Sequence, residues 1–231
     1  MVQLLSSDTL FPPLEEALLD PNGLLAIGGD LSTERLINAY QNGIFPWFNE
    51  DEPILWWSPD PRMVLYPKEL KISRSLRKSI NKNNYHIRTD SQFAAVMQAC
   101  AAPRKNQPGT WIHPEMVAAY TALHEIGLAH SVETWIDDKL AGGLYGIAMG
   151  KVFFGESMFS RKPDASKIAF VYLVRQLLQW DYVVIDCQVK TAHLASFGAR
   201  EIPRAEFSQI LTTWAKPKAL EKKWDFSFMN E

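Results

Sequence analysis

The chain has 231 residues, room for one large domain or two small ones with a true hydrophobic core. Aromatic residues make up 12% and include 8 Trp, which excludes a disordered chain, and no apolar run approaches the roughly 20 residues needed to span a bilayer. The net charge of −2 hides a split: residues 1–62 hold ten Asp/Glu against two Arg (−8), and residues 63–231 hold sixteen Asp/Glu against twenty-two Lys/Arg (+6). The start, MVQLLSSDTLFPP, has no basic region followed by a long apolar core, so no secretory signal is expected. Cys100 and Cys187 both sit in apolar segments and are expected to be reduced thiols of a cytosolic protein.

In chain order, EEALLDPNG reads as a short helix stopped by Pro21, Asn22 and Gly23. GGDLSTERLINAYQNG follows as a helix with Ser32 as N-cap, Gly43 just past its end, and an apolar face of Leu36, Ile37 and Tyr40. FPWFNEDEPILWWSPDPR, dense in Pro and Trp, reads as a loop, and Trp56 and Trp57 within it as structural. A second unit begins near Arg62. MVLYP reads as a strand, SRSLRKSINKN as a basic helix, YHIRT as a strand, SQFAAVMQACAA as a helix and PRKNQPGTW as a loop. PEMVAAYTALHEIG is a helix with Pro114 in its first turn and Gly127 at its end. AHSVETWI, KLAGGLYGIAM and KVFFGESMF form an antiparallel meander turning at Asp137-Asp138 and Gly150-Lys151. ASKIAFVYLVRQLLQW is apolar around most of its circumference and is therefore a buried helix. YVVIDCQ is a strand expected to run parallel to one already formed, and AHLASFG and AEFSQILTTWA are shorter helices. This order of elements is similar to that of the GNAT acyltransferase fold, an analogy that does not fix the chemistry.

Two acids stand out. Glu156 is delivered to the far end of one apolar strand and Asp186 to the end of another, with Gln188 two residues on and so on the same strand face. A carboxylate in such a setting is costly unless it is paired, hydrogen-bonded or used. The pair suggests a site that holds a cation, positions an amine or moves a proton. The competing reading is a structural acid bonded to backbone amides. Between residues 68 and 88 lie seven basic residues and one acid; Lys71, Arg74, Lys78 and Lys82 recur at helical spacing. Such a face is either a phosphate-contacting patch or an ordinary solvated surface. No cofactor is expected: there is no GxxxxGK loop, no GxGxxG after a strand, and HEIGLAH lacks HExxH spacing.

The motifs PNGLLAIGGDLS, GIFPWF, ILWWSPDPR, GTWI, GGLYG, FFGESMFSR, ASK and IDCQV occur in that order. As an ordered set, spanning Pro21 to Pro203, they resemble the leucyl/phenylalanyl-tRNA–protein transferase family. The resemblance implies an α/β protein with a small N-terminal domain, 1–62, and a GNAT-like transferase domain, 63–231, built on a mixed, mostly antiparallel sheet. It implies transfer of Leu or Phe, and also Met, from aminoacyl-tRNA to an N-terminal Arg or Lys of a protein, marking it for degradation by the N-end rule. The enzyme is expected to act as a cytoplasmic monomer without a membrane partner. The resemblance further implies that Asp186, Gln188 and Glu156 are at the catalytic centre and that Trp47 and Trp111 flank the tRNA 3′ adenosine. Leu144, Phe153, Met158, Phe170, Leu173, Leu177 and Ile185 are candidates for the donor side-chain pocket, against the competing reading that each is ordinary core. Leu144 stands where the family pattern has Met, and Leu173 where it has Phe. The face of Lys71, Arg74, Lys78 and Lys82 is the candidate for the tRNA backbone. Rival functions are an aminoacyl-tRNA-dependent transferase acting on a peptidoglycan amine, a CoA-dependent N-acetyltransferase and a non-enzymatic RNA-binding module. The CoA reading expects a glycine-rich loop where the chain has FSRKPDASK.

Overall fold

A computed structural model describes residues 2–6, 10–102, 111–216 and 224–226. The first unit is a four-stranded sheet ordered β1-β2-β4-β3, made of β1 (Gln3–Leu5), β2 (Leu24–Gly28), β3 (Phe45–Pro46) and β4 (Leu55–Trp57). The helix expected from EEALLDPNG is instead one 3-10 turn, Leu14–Glu16. Prolines at 12, 13 and 21 leave too few residues between them to nucleate more. The stretch expected as a loop contains β3 and β4. Strands of two and three residues are too short for alternation to show in sequence. Trp56 is nonetheless fully buried, and its indole donates to the Gly28 carbonyl at 2.9 Å. Helix α1 (Thr33–Gln41) starts as expected, with Ser32 Oγ accepting from the Arg35 amide at 3.4 Å. Gly43 follows its end at φ +73°, the left-handed conformation that suits glycine.

The second unit is a seven-stranded mixed sheet. In chain order it runs β5 (Arg62–Leu65), α2 (Arg74–Asn81), β6 (His86–Thr89), α3 (Phe93–Ala101), α4 (Pro114–Glu125), β7 (Ala129–Ile136), β8 (Lys139–Met149), β9 (Val152–Ser160), α5 (Ala165–Gln179), β10 (Val184–Asp186), α6 (Ala192–Ser196), β11 (Arg200–Ile202) and α7 (Arg204–Trp214). The strand order is β11-β5-β10-β9-β8-β7-β6. The meander β7-β8-β9 is antiparallel, and β10 returns through α5 to pair parallel to β9, both as expected. The strand β11, only three residues long, was not legible. Most of the PRKNQPGTW stretch lies outside the described residues. Among the described residues no helix is long and apolar enough to cross a membrane.

The pairing register makes a cleft. β10 runs beside β9 only from Val184 opposite Val152 to Asp186 opposite Phe154. Beyond that point β9 continues to Ser160 paired with β8 alone. The sheet therefore opens just past Asp186, next to a register shift at Tyr145/Gly146. One apolar core, containing Tyr40, Trp56, Tyr120, Tyr145 and Phe154, joins the first unit to the sheet. The other, containing Leu65, Leu144, Phe153, Phe170, Leu173 and Ile185, packs α5 against the sheet.

Candidate active site

Asp186 is fully buried at the end of β10, and so is its partner, Arg62 of β5. Arg62 Nε and Nη2 donate to the two carboxylate oxygens at 2.8 and 2.6 Å, a bidentate pair. Arg62 Nη1 donates to the Gly43 carbonyl at 3.0 Å, and the Phe45 and Phe207 rings each lie 4.9 Å from the guanidinium. Gln188 is positioned by the same carboxylate: its amide donates to Asp186 Oδ1 at 3.0 Å while its own φ is +55°. This corrects the expectation that strand alternation puts Asp186 and Gln188 on one face. β10 ends at Asp186, and an Asp-capped turn orients Gln188.

Glu156 is not at the far end of its strand but in the middle of β9, where the sheet opens. Tyr40 of α1 donates to its Oε1 at 2.8 Å, Tyr120 of α4 contacts Oε2 at 3.3 Å, and Gln188 Nε2 reaches Oε1 at 3.5 Å. The two phenol oxygens also bond each other. Three contacts among two phenols and one carboxyl close a ring that needs three protons, and the phenols supply only two. The third fits a protonated carboxyl. Burial, first, and the charge of Asp186 push the Glu156 carboxyl up to about 8, against the hydrogen bonds of Tyr40 and Tyr120 and the charge of Arg62.

Glu156, Asp186 and Gln188 line a cavity of about 410 Å³; Arg62, Tyr40 and Tyr120 are not among its lining residues. It brings together Glu156, Asp186 and Gln188 with Trp111 and with the apolar side chains of Leu144, Phe153, Met158, Phe170, Leu173 and Ile185. Leu177 is fully buried in the same core but is not among the lining residues. Trp47 is also outside the lining; it is 50% exposed, its ring is 5.6 Å from that of Trp57, and Trp57 Nε1 donates to its carbonyl at 2.7 Å. Lys71, Arg74, Lys78 and Lys82 are all exposed, the latter three spaced by four along and just past α2. Sequence reasoning missed Arg62, Tyr40 and Tyr120 as site residues, because a polar partner drawn from a distant element leaves no spacing signal. It also missed His193, whose Nε2 is 3.2 Å from Met158 Sδ at the cavity wall; burial, and then Lys167, hold its imidazole below the usual range.

The family model for the leucyl/phenylalanyl-tRNA protein transferase matches residues 64–212, and the model for the N-terminal domain of that family matches residues 29–60. The chain belongs to this family. It is an aminoacyl-tRNA–protein transferase, an acyltransferase. Among its relatives are the leucyl/phenylalanyl-tRNA–protein transferases of Nitrosomonas eutropha, 69% identical over 99% of this chain and 97% of that one, and of Chromobacterium violaceum, 56% identical over 100% and 99%. Similar solved structures include a GCN5-related N-acetyltransferase from Kribbella flavida, at 11% identity and TM-score 0.39 over 70% of this chain and 58% of that one. L-PGS from Bacillus licheniformis is similar at 13% identity and TM-score 0.39, over 73% and 54%. In this transferase the two matched regions meet at Glu156, to which Tyr40 of the N-terminal one donates, while the residues lining the cavity all come from the other.

Proposed function

We propose that the protein transfers Leu, Phe or Met from aminoacyl-tRNA to the α-amino group of a protein whose first residue is Arg or Lys, as a cytoplasmic monomer, and so marks the acceptor for degradation. The observation that carries this reading is a cavity with an apolar end, of Leu144, Phe153, Met158, Phe170, Leu173 and Ile185, and a polar wall of Glu156 and Gln188. The apolar end accepts the donor side chain. The polar wall faces the ester and the attacking amine. The neutral amine attacks the ester carbonyl; the C–N bond forms, the bond to the ribose oxygen breaks, and the amine proton passes to that oxygen. Gln188 Nε2, oriented through its amide by Asp186, supplies a donor toward the carbonyl. Asp186 is a positioning group in this scheme, because Arg62 and the Gln188 amide occupy its oxygens.

Aminoacyl esters are reactive, so holding amine and ester together accounts for much of the acceleration. The adenine stacks on Trp111 at the cavity and on the exposed ring of Trp47, at about 1–3 kcal/mol per stack. The basic face of Lys71, Arg74, Lys78 and Lys82 contacts the acceptor-stem phosphates. The test is transfer of radiolabelled Leu from Leu-tRNA to peptides beginning with Arg, Lys, Glu or Ala. Label is expected on the first two as an amide stable to mild base; equal labelling of all four overturns the acceptor assignment.

A further inference from the structure

We propose that Trp224 is a positioning residue for donor selection, acting through Phe153 to set the depth of the apolar end of the cavity. The inference rests on the reading of that end as the donor side-chain pocket. Phe153 lines the cavity yet is only 1% exposed, so its ring is one wall of the space a donor can fill. One neighbour is Gly146, where an added Cβ would lie 2.5 Å from the ring tip of Phe153. Another is the Trp224 indole, with ring centres 5.8 Å apart. The phenyl ring is thus wedged between a strand backbone and an indole.

The indole is itself fixed. The Trp224 amide donates to Asp90 Oδ2 at 3.0 Å and its carbonyl accepts from Thr89 Oγ1 at 2.7 Å. Its ring stacks on His130 at 4.0 Å with the planes 8° apart, and Trp180 packs edge-on at 5.2 Å. His130 is held in turn by Asp90 Oδ2 at 2.8 Å and the Gly127 carbonyl at 3.1 Å. Nothing in the sequence ties Trp224 to the pocket; the link exists because Trp224 and Phe226 pack into the core that also holds Phe153. Replacing the indole by a smaller group leaves a void into which Phe153 can turn, and the pocket lengthens.

The experiment measures kcat/KM for one tRNA charged with Leu, Phe or Trp, using wild type and the series Trp224→Phe and Trp224→Leu. The expected result is a rise in the Trp-to-Leu donor ratio of about threefold for Phe and about tenfold for Leu, the scale of small volume changes in an apolar pocket. A role confined to folding lowers all donors in proportion and leaves the ratio unmoved, which overturns the proposal. If Trp224→Leu does not fold, Trp224→Phe decides alone, and an unchanged ratio there is the overturning result. Phe153→Leu separates this proposal from its premise. A shift with Phe153→Leu but none in the Trp224 series overturns the role of Trp224 and leaves the pocket standing. No shift in any variant overturns both.

Discussion

Glu156 provides a direct test of the site's electrostatics, because its carboxyl is pushed up from 4.5 to about 8, chiefly by burial. A carboxyl that binds its proton more tightly in the folded state contributes stability fully present below about 4.5. That contribution is lost as pH rises through about 8. The full displacement corresponds to about 5 kcal/mol at most, at about 1.36 kcal/mol per pH unit, and to less because the carboxyl opens onto the cavity. Glu156→Gln keeps the shape and replaces the carboxyl proton by an amide donor, so it can satisfy the ring of Tyr40 and Tyr120 without titrating. The assay is thermal unfolding of both proteins from pH 5 to pH 9. The wild type is expected to lose stability relative to Glu156→Gln, with the difference growing up to about pH 8 and levelling off by about pH 9. At about 2–4 °C per kcal/mol the divergence reaches several degrees or more. A constant difference in Tm from pH 5 to pH 9 refutes the protonated ring.

The Asp186 pair is tested by Asp186→Ala, which leaves Arg62 buried without a counter-charge; a loss of about 3–5 kcal/mol is expected, and an unchanged Tm refutes the buried pair. Asp186→Asn keeps an acceptor for the Gln188 amide, so kcat at a temperature below unfolding is expected to fall by less than the 10²–10⁴-fold (about) of a missing base, and a loss in that range makes Asp186 a base instead. Trp111→Ala and Trp47→Ala are each expected to lower kcat/KM for aminoacyl-tRNA by about 1–3 kcal/mol, with the fold intact by circular dichroism; unchanged kinetics in the double variant refutes stacking. Neutralising Lys71, Arg74, Lys78 and Lys82 together is expected to weaken every donor tRNA alike and flatten the salt dependence while a minimal aminoacyl-adenosine donor reacts as before; equal losses for both donors remove the patch from tRNA binding.

What the sequence disclosed follows from the physical range of each signal. The meander and α5 were legible because long apolar segments bounded by turns and caps mark themselves, and β10, itself only three residues, because the apolar run YVVI leads into it. β3, β4 and β11, no longer than β10, lie at or beside prolines that break any such run. Buried carboxylates could be suspected from their apolar surroundings, yet their partners could not. Arg62 sits 124 positions from Asp186 and Tyr40 116 from Glu156. Tyr40 even reads correctly as an apolar-face residue, since its ring packs in the core while only its hydroxyl reaches the acid.

Those partners change what the small first unit is for. Tyr40 closes the hydrogen-bond ring on Glu156, and Gly43 and Phe45 hold Arg62 by a carbonyl and a ring face. Arg62 then fixes Asp186, and Asp186 fixes the turn that aims Gln188. Glu156 and Gln188 are therefore both held through residues from 40–62, on a helix, its capping glycine and two short strands, with Tyr120 of α4 sharing Glu156. The core is continuous across the same boundary: Leu36, Ala39 and Tyr40 belong to one cluster with Met116, Tyr120 and Phe154. A displacement of the first unit would move Tyr40 and the Gly43 carbonyl together, loosening Glu156 and Arg62 at once. The second unit thus carries the acids, while the first supplies contacts that hold Glu156 and, through Arg62 and Asp186, aim Gln188.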